Sequence, residues 1–182
     1  METSRKTSLL LQHRASHVVQ PRLEEMEKAY LAKDFETFGR ITMQDSNQFH
    51  AVCLDTYPPI FYMNDVSKSI IRLATALNAF MGKIVAAYTF DAGPNAVIYT
   101  LAEYEPLVTA AMMRFFPAPK NQYDAYCNNP VAMNGILAQT ETLLSPELIA
   151  KLDACGRVPG DAGDVKVCYP ITNEIMSITG SF

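Results

Sequence analysis

Several features that point directly to a class of protein are missing from this sequence. The four cysteines, Cys53, Cys127, Cys155 and Cys168, are widely spaced and form no CxxC pair. That spacing argues against a zinc or dithiol redox motif and predicts reduced, mostly buried thiols. No apolar run reaches the roughly 18 residues of a membrane span, and the short N-terminal apolar run is a poor signal peptide. The expected compartment is therefore the cytosol.

The sequence also lacks an excess of basic charge and any glycine-rich phosphate loop. Its 182 residues carry a net charge of −4, which gives no electrostatic footprint for nucleic acid. Neither GxGxxG nor GxxxxGK[ST] occurs, so no known nucleotide cradle is present. An anionic small ligand stays possible, because it needs only a local cluster of donors. With 49% hydrophobic residues, the chain has enough apolar material for one globular core.

The hydrophobic pattern predicts an α+β domain. Apolar residues recur at helical spacing over 7–33, 34–56, 65–81 and 103–116, and on both sides of Ser145-Pro146. Asp34 and Asp65 are candidate N-caps, and Gly82 is a candidate helix stop. Pro21 is expected to open a second segment within 7–33. Strand, turn and strand follow one another over 83–101, and one short strand is predicted near 165–169. This pattern is typical of helices packed on an antiparallel sheet.

The stretch "YTFDAGPNAVIYTL" places a carboxylate, Asp91, between the two predicted strands. One interpretation is an ordinary hairpin turn, since Asp, Gly, Pro and Asn all favour turns. The other is a catalytic carboxylate at a strand end, because rigid strands position the loops that carry function. The turn alone does not decide between them.

Two other pairs of residues suggest chemistry. His13 and His17 are four residues apart on a predicted helix, but "HRASH" lacks the glutamate of HExxH and a third ligand is not evident. Ser46 and His50 could be a nucleophile and its base, but no nucleophile elbow surrounds the serine. Ordinary polar helix positions are the preferred interpretation of both, and the sequence predicts no metal site.

Three motifs, "DSNQFHA", "PPIFYMND" and "YTFDAGPNA", occur in this order and together resemble mevalonate diphosphate decarboxylases. The resemblance runs from Met1 to about residue 166 and implies a C-terminal domain of the GHMP kinase superfamily. It implies ATP- and magnesium-dependent decarboxylation of diphosphomevalonate to isopentenyl diphosphate, in the mevalonate pathway of isoprenoid and sterol biosynthesis. It also implies a homodimer.

The resemblance assigns the catalytic role to Asp91, which matches the aspartate of the family's "FDAGPNA" motif. Met1 matches a position near the substrate in the family, although here it begins the chain. Asp45, Ser46, Asn47 and His50 are expected to pack near the Asp91 turn and brace it. Magnesium and donors from the rest of the site would handle the phosphate charge.

The departures from the family predict two regions, a decarboxylase C-terminal domain over 1–166 and a divergent tail over 167–182. The family's N-terminal half, with its ATP loop and substrate-binding groups, has no counterpart in this sequence. Both ends of the chain are therefore expected to be cut, and the chain alone is expected to lack turnover. The alternatives are an inactive remnant that pairs with a complete copy, or another small-molecule kinase of the superfamily.

Overall fold

A computed structural model describes residues 2–117 and 129–155. The predicted short strand near 165–169 and the boundary between residues 166 and 167 lie outside these ranges. The fold is α+β, as predicted, and its strands form one antiparallel hairpin. In chain order the elements are α1 (Glu2–Thr7), α2 (Leu9–His13), a π-helical turn (Arg14–Val18), α3 (Val19–Leu31), α4 (Phe35–Asp55), α5 (Asp65–Met81), β1 (Ala87–Phe90), β2 (Ala96–Tyr99), α6 (Glu105–Phe115), α7 (Pro130–Leu137), α8 (Thr140–Leu143) and α9 (Pro146–Asp153).

The hairpin is shorter than the pattern over 83–101 predicted. Its register pairs Ala87 with Tyr99 and Phe90 with Ala96. Helices α4 and α5 both contact β1. Because a two-stranded hairpin is marginal in isolation, these helices provide much of what holds it in place.

Helix α4 begins where the sequence predicted. The Asp34 side chain accepts a hydrogen bond from Thr37 N at 3.1 Å and so caps the helix. Gly39 lies inside the helix, where glycine is normally unfavourable. A Cβ at this position would lie 2.7 Å from Ile84 Cγ2 and 3.1 Å from Ala87 Cβ. Gly39 is therefore the residue that lets α4 pack closely against the start of β1.

Helix α5 corrects one predicted cap. Its N-cap is Asn64 and not Asp65, which lies in the first turn instead. Asn64 and Ser67 form a reciprocal capping box, in which each side chain accepts a hydrogen bond from the other residue's amide. The helix ends at Gly82, as predicted, and this glycine adopts a left-handed conformation with φ of 67°.

The helical region predicted over 7–33 is present, and α2, the π-helical turn and α3 follow one another without a gap over 9–31. The break between α1 and α2 is at Ser8, whose hydroxyl accepts a hydrogen bond from Leu11 N. The same hydroxyl donates to Asp55 Oδ2 at 2.7 Å, so the start of the chain is attached to the end of α4. Pro21 was predicted to open a second segment. It lies in the first turn of α3, where a missing amide proton is tolerated.

A hydrophobic core joins α5, the hairpin, α6 and the later helices. Its centre consists of fully buried aliphatic side chains, among them Leu73, Leu77, Val85, Ile98 and Val108. Burial of a side chain of this size stabilises the fold by about 1.5–3 kcal/mol. Over the described part of the chain, none of the helices combines the length and apolar character needed to cross a membrane.

Candidate active site

The Asp91 side chain stands at the tip of the hairpin. Asp91 directly follows the last residue of β1, and residues 91–95 lead into β2. Asp91 and Ala92 are exposed, whereas Gly93, Pro94 and Asn95 are half-buried. Among the described ion pairs none involves Asp91. A carboxylate in this position is open to an incoming molecule while its backbone continues a buried strand.

The turn is held by side chains from the two neighbouring helices. Ser46 of α4 accepts a hydrogen bond from Phe90 N at 3.0 Å, immediately before Asp91. Ser67 of α5 donates to Pro94 O at 2.8 Å on the other side of the turn. Both serines are buried, at 4% and 0% exposure. The predicted bracing by Ser46 is therefore present. Ser67 was not singled out from the sequence, because a serine three residues after the N-cap lacks the Glu or Gln of the usual capping-box signal.

His50 lies beside the turn in an aromatic environment. Its ring packs edge-on against Phe90, with centroids 6.1 Å apart, and it also contacts Phe49 and Tyr62. The side chain is 4% exposed, and its Nε2 has no hydrogen-bond partner among the described residues. Burial lowers the pKa of His50, while the Phe90 backbone and the negative charge of Asp91 oppose that shift. His50 is thus a neutral packing residue that is electrostatically coupled to Asp91.

The remaining predicted braces make other contacts. Asn47 accepts a hydrogen bond from the hydroxyl of Tyr88, at 3.1 Å, and so contacts β1 and not the turn. Asp45 is bound by two arginines from the preceding segments. Arg14 donates to Oδ2 at 2.9 Å and forms an ion pair with Oδ1 at 2.8 Å, and Arg22 donates to Oδ1 at 2.8 Å. The expectation that Asp45 braces the turn is not met, because its oxygens are used in this cluster.

Arg14, Arg22 and Asp45 line a groove of about 380 Å³, together with residues of α3, α4 and the hairpin. Hydrogen bonds from the arginines lower the pKa of Asp45 despite the opposing effect of its burial. The arginine side chains are 16% and 20% exposed. Because they share one carboxylate, this cluster fixes α3 and the π-helical turn to α4.

The other candidates from the sequence do not form sites. His13 and His17 stack with ring centroids 4.9 Å apart, and both are exposed. Ser46 uses its hydroxyl as an acceptor for Phe90 N and makes no recorded hydrogen bond to His50. Cys53 is a free buried thiol, and burial raises its pKa. Met1 lies outside the described residues.

Magnesium needs a group of oxygen ligands, and the phosphates of a nucleotide need hydrogen-bond donors. Within 2–117 and 129–155, no three His, Cys, Asp or Glu side chains come together as a metal site. Arg14 and Arg22, which contact α4, are already bound to Asp45 and Gln48. The described part of the chain therefore presents an exposed carboxylate but does not itself fit magnesium or ATP.

Comparison with known proteins decides the family. The model of the mevalonate 5-diphosphate decarboxylase C-terminal domain matches residues 1–155. The chain belongs to this decarboxylase family. The match includes the entire Asp91 turn and both serines that hold it.

Similar decarboxylases extend well beyond this chain. A diphosphomevalonate decarboxylase of Danio rerio is 52% identical over 131 residues, which cover 72% of this chain and 33% of the relative. The solved decarboxylase of Trypanosoma brucei is 30% identical, with a TM-score of 0.67, and the match covers 99% of this chain and 43% of that one. A more distant structure, described as a complex with MVAPP, AMPPCP and magnesium, is 22% identical with a TM-score of 0.56. That match covers 62% of this chain and 33% of that one. The chain thus spans about a third of the length of its Danio rerio relative.

Proposed function

We propose that this chain supplies the catalytic carboxylate, Asp91, of an ATP-dependent diphosphomevalonate decarboxylase. One observation carries the proposal. In a member of this family, the aspartate of the "FDAGPNA" motif is exposed at a strand end, while buried side chains hold the turn around it. The product of the proposed reaction is isopentenyl diphosphate.

Asp91 acts on the tertiary 3-hydroxyl of diphosphomevalonate. An exposed carboxylate without an ion pair can accept a hydrogen bond from that hydroxyl and orient it, or take its proton as the oxygen attacks. The hydroxyl oxygen receives the terminal phosphoryl group of ATP. The phosphate then leaves with its bonding electrons as the carboxylate of the substrate is lost as carbon dioxide. The electron pair from the broken carbon–carbon bond forms the double bond of the product.

ATP and magnesium supply the phosphoryl group and charge neutralisation in this proposal. The distant structure with AMPPCP, an ATP analogue, and magnesium supports their use in the family. Since the described residues do not fit either group, we assign their binding to polypeptide corresponding to the rest of the relatives' length. We therefore expect no turnover from this chain alone. The resemblance further supports a homodimeric, cytosolic enzyme, which light scattering and cell fractionation would test.

A segment exchange tests the role of Asp91. Residues 2–155 replace the matching segment of the Danio rerio relative, and ATP-dependent release of carbon dioxide from diphosphomevalonate is measured. We expect turnover from the exchanged enzyme and a loss of at least about 100-fold in its Asp91→Asn form, the usual scale for general acid–base catalysis. A folded exchanged enzyme that is inactive, or one whose turnover is unchanged by Asp91→Asn, overturns the proposal.

A further inference from the structure

The turn that carries Asp91 has little structure of its own. Apart from the strand pairing at its ends, residues 91–95 form no hydrogen bond between their main-chain atoms and the main-chain atoms of any described residue. Pro94 has no amide proton to donate, and Gly93 adds conformational freedom. A Cβ on Gly93 would meet only Asp91 Oδ1, at 3.6 Å, so no described group outside the turn packs against this side of Gly93. The position of Asp91 therefore depends on groups outside the turn.

Two buried hydroxyls provide that support, one at each end. Ser46 holds the amide of Phe90, one residue before Asp91, and Ser67 holds the carbonyl of Pro94, three residues after it. The Ser46 contact lies next to a residue already paired in the hairpin, at Phe90–Ala96. The Ser67 contact is the one that reaches into the unpaired part of the turn.

Ser67 is itself fixed by the capping box at the start of α5. Its amide donates to Asn64 Oδ1 at 2.9 Å, and its hydroxyl oxygen accepts from Asn64 N at 3.3 Å. The hydroxyl has one proton, and Pro94 O, at 2.8 Å, is nearer than Asn64 Oδ1, at 3.1 Å. One side chain thus serves both the helix cap and the turn, on a helix whose apolar face lies in the core.

We propose that Ser67 is a positioning residue for Asp91, which transmits the fixed position of the α5 N-terminus to the turn through the Pro94 carbonyl. The proposal rests on the proposed function insofar as it concerns catalysis. Its structural part, that Ser67 holds the turn still, stands independently. Small displacements of a reacting group cost a large factor in rate, so loss of this contact lowers turnover without removing any group that touches the substrate.

The structural part is tested on the 182-residue chain itself by ¹⁵N relaxation. In the parent chain, the amides of Ala92, Gly93 and Asn95 are expected to have order parameters near about 0.85, the value for rigid backbone. In Ser67→Ala they are expected to fall below about 0.6, the range of flexible segments. Ser69→Ala is the matched control, because Ser69 is on the same helix, is equally buried and bonds to Arg72 instead of the turn.

A second variant covers the case in which Ser67→Ala does not fold. Ser67→Cys keeps the unbranched shape of the side chain and replaces the hydroxyl by a thiol, a weak donor, so the order parameters should fall in the same direction. Unchanged order in the folded Ser67 variant, or an equal loss in Ser69→Ala, overturns the proposal.

The catalytic part is tested in the exchanged enzyme described above. Ser67→Ala is expected to lower kcat by about 10- to 100-fold, the scale of a small misplacement, while KM for diphosphomevalonate changes by less than about threefold. Full kcat in a folded Ser67→Ala enzyme overturns the positioning role. If the exchanged enzyme with Ser67 intact is inactive, the proposed function fails, and the relaxation measurement still decides whether Ser67 holds the turn.

Discussion

Asp45 and Asp91 carry the same side chain, but their surroundings in this domain differ. Asp45 lies on α4 and receives hydrogen bonds from Arg14 and Arg22, both from segments earlier in the chain. Asp91 is exposed, and no described ion pair involves it. Ser46, the residue after Asp45, bonds to the amide just before Asp91, so the two carboxylates are structurally connected through α4 and β1.

Of these two carboxylates, Asp91 is the one whose oxygens are open to an incoming molecule. A carboxylate whose oxygens are occupied by two guanidinium groups is a poor base and cannot readily turn to a substrate. Its neutralised charge contributes to packing of the helices instead. The carboxylate of Asp91 has open access and a supported backbone, which suit a catalytic group. Substitution of each aspartate should therefore affect a different property.

The largest effect is expected on activity. In the exchanged enzyme, Asp91→Asn should lower the rate of carbon dioxide release by at least about 100-fold, because the amide cannot take the proton of the substrate hydroxyl. Asp45→Asn should lower it by less than about tenfold, since Asp45 touches only the helix cluster. Equal reductions of turnover by the two substitutions, in folded enzyme, would contradict a catalytic role that only Asp91 has.

The next effect is expected on stability, with the order reversed. Asp45→Asn leaves two mostly buried arginines without their charge partner and should lower the free energy of unfolding by about 1–3 kcal/mol. Asp91→Asn should change it by less than about 0.5 kcal/mol, as for other exposed positions. Urea denaturation of the whole chain near neutral pH measures both.

The pH dependence of the stability lost in Asp45→Asn shows whether the charge of Asp45 is responsible for it. The folded-state pKa of Asp45 is below its ordinary value of 3.8, so its contribution is complete above that pH. It is lost as the pH falls through the lower, folded-state pKa. The stability gap between the parent chain and Asp45→Asn should therefore narrow only below pH 3.8. A gap that already narrows at higher pH contradicts this assignment.

A smaller effect on stability is expected from Ser46. Ser46→Ala removes the acceptor of Phe90 N inside the fold, which should lower the free energy of unfolding by about 1–2 kcal/mol. Arg14, Arg22 and Asp45 remain intact in this variant, so the effect separates the turn contact from the adjacent ion cluster. Ser69→Ala is again the matched control. An equal loss of stability in the two variants would falsify a specific contribution from the Phe90 contact.

Much of the fold and part of the site could be predicted from sequence, for identifiable physical reasons. Helical periodicity located α4, α5 and α6, and turn chemistry located the hairpin that presents Asp91. Local signals gave the cap at Asp34 and the stop at Gly82. They failed at Asp65, because two adjacent residues can both cap a helix and only the backbone angles select Asn64.

The contacts over long sequence separations could not be predicted in this way. The Ser67–Pro94 and Ser46–Phe90 bonds join residues 27 and 44 positions apart, and no periodicity specifies such pairs. Whether the oxygens of Asp45 are free likewise depends on the positions of Arg14 and Arg22 in the folded chain, which the sequence pattern does not specify. The requirement for glycine at position 39 follows from the approach of Ile84, which the helical pattern of α4 does not reveal.

The smallest expected effect is pH-dependent and concerns His50, whose ring packs against Phe90 next to Asp91. Burial lowers the pKa of His50 below its ordinary value of 6.5, so the folded state binds this proton less readily than the unfolded chain. Stability from neutral His50 is then present above pH 6.5 and is lost as the pH falls below it.

Urea midpoints measured at about pH 7.5 and 5.5, on either side of the ordinary histidine pKa, test this coupling. The parent chain should lose stability on acidification, and His50→Gln, which cannot titrate, should lose less. The negative charge of Asp91 partly offsets the effect of burial on the pKa of His50. Asp91→Asn should therefore deepen the acid loss, although this substitution leaves stability near neutral pH almost unchanged. The same loss in the parent and in Asp91→Asn would mean that solvent screens Asp91 from His50. In that case the Asp91 carboxylate is so open to solvent that its charge does not affect the pKa of His50.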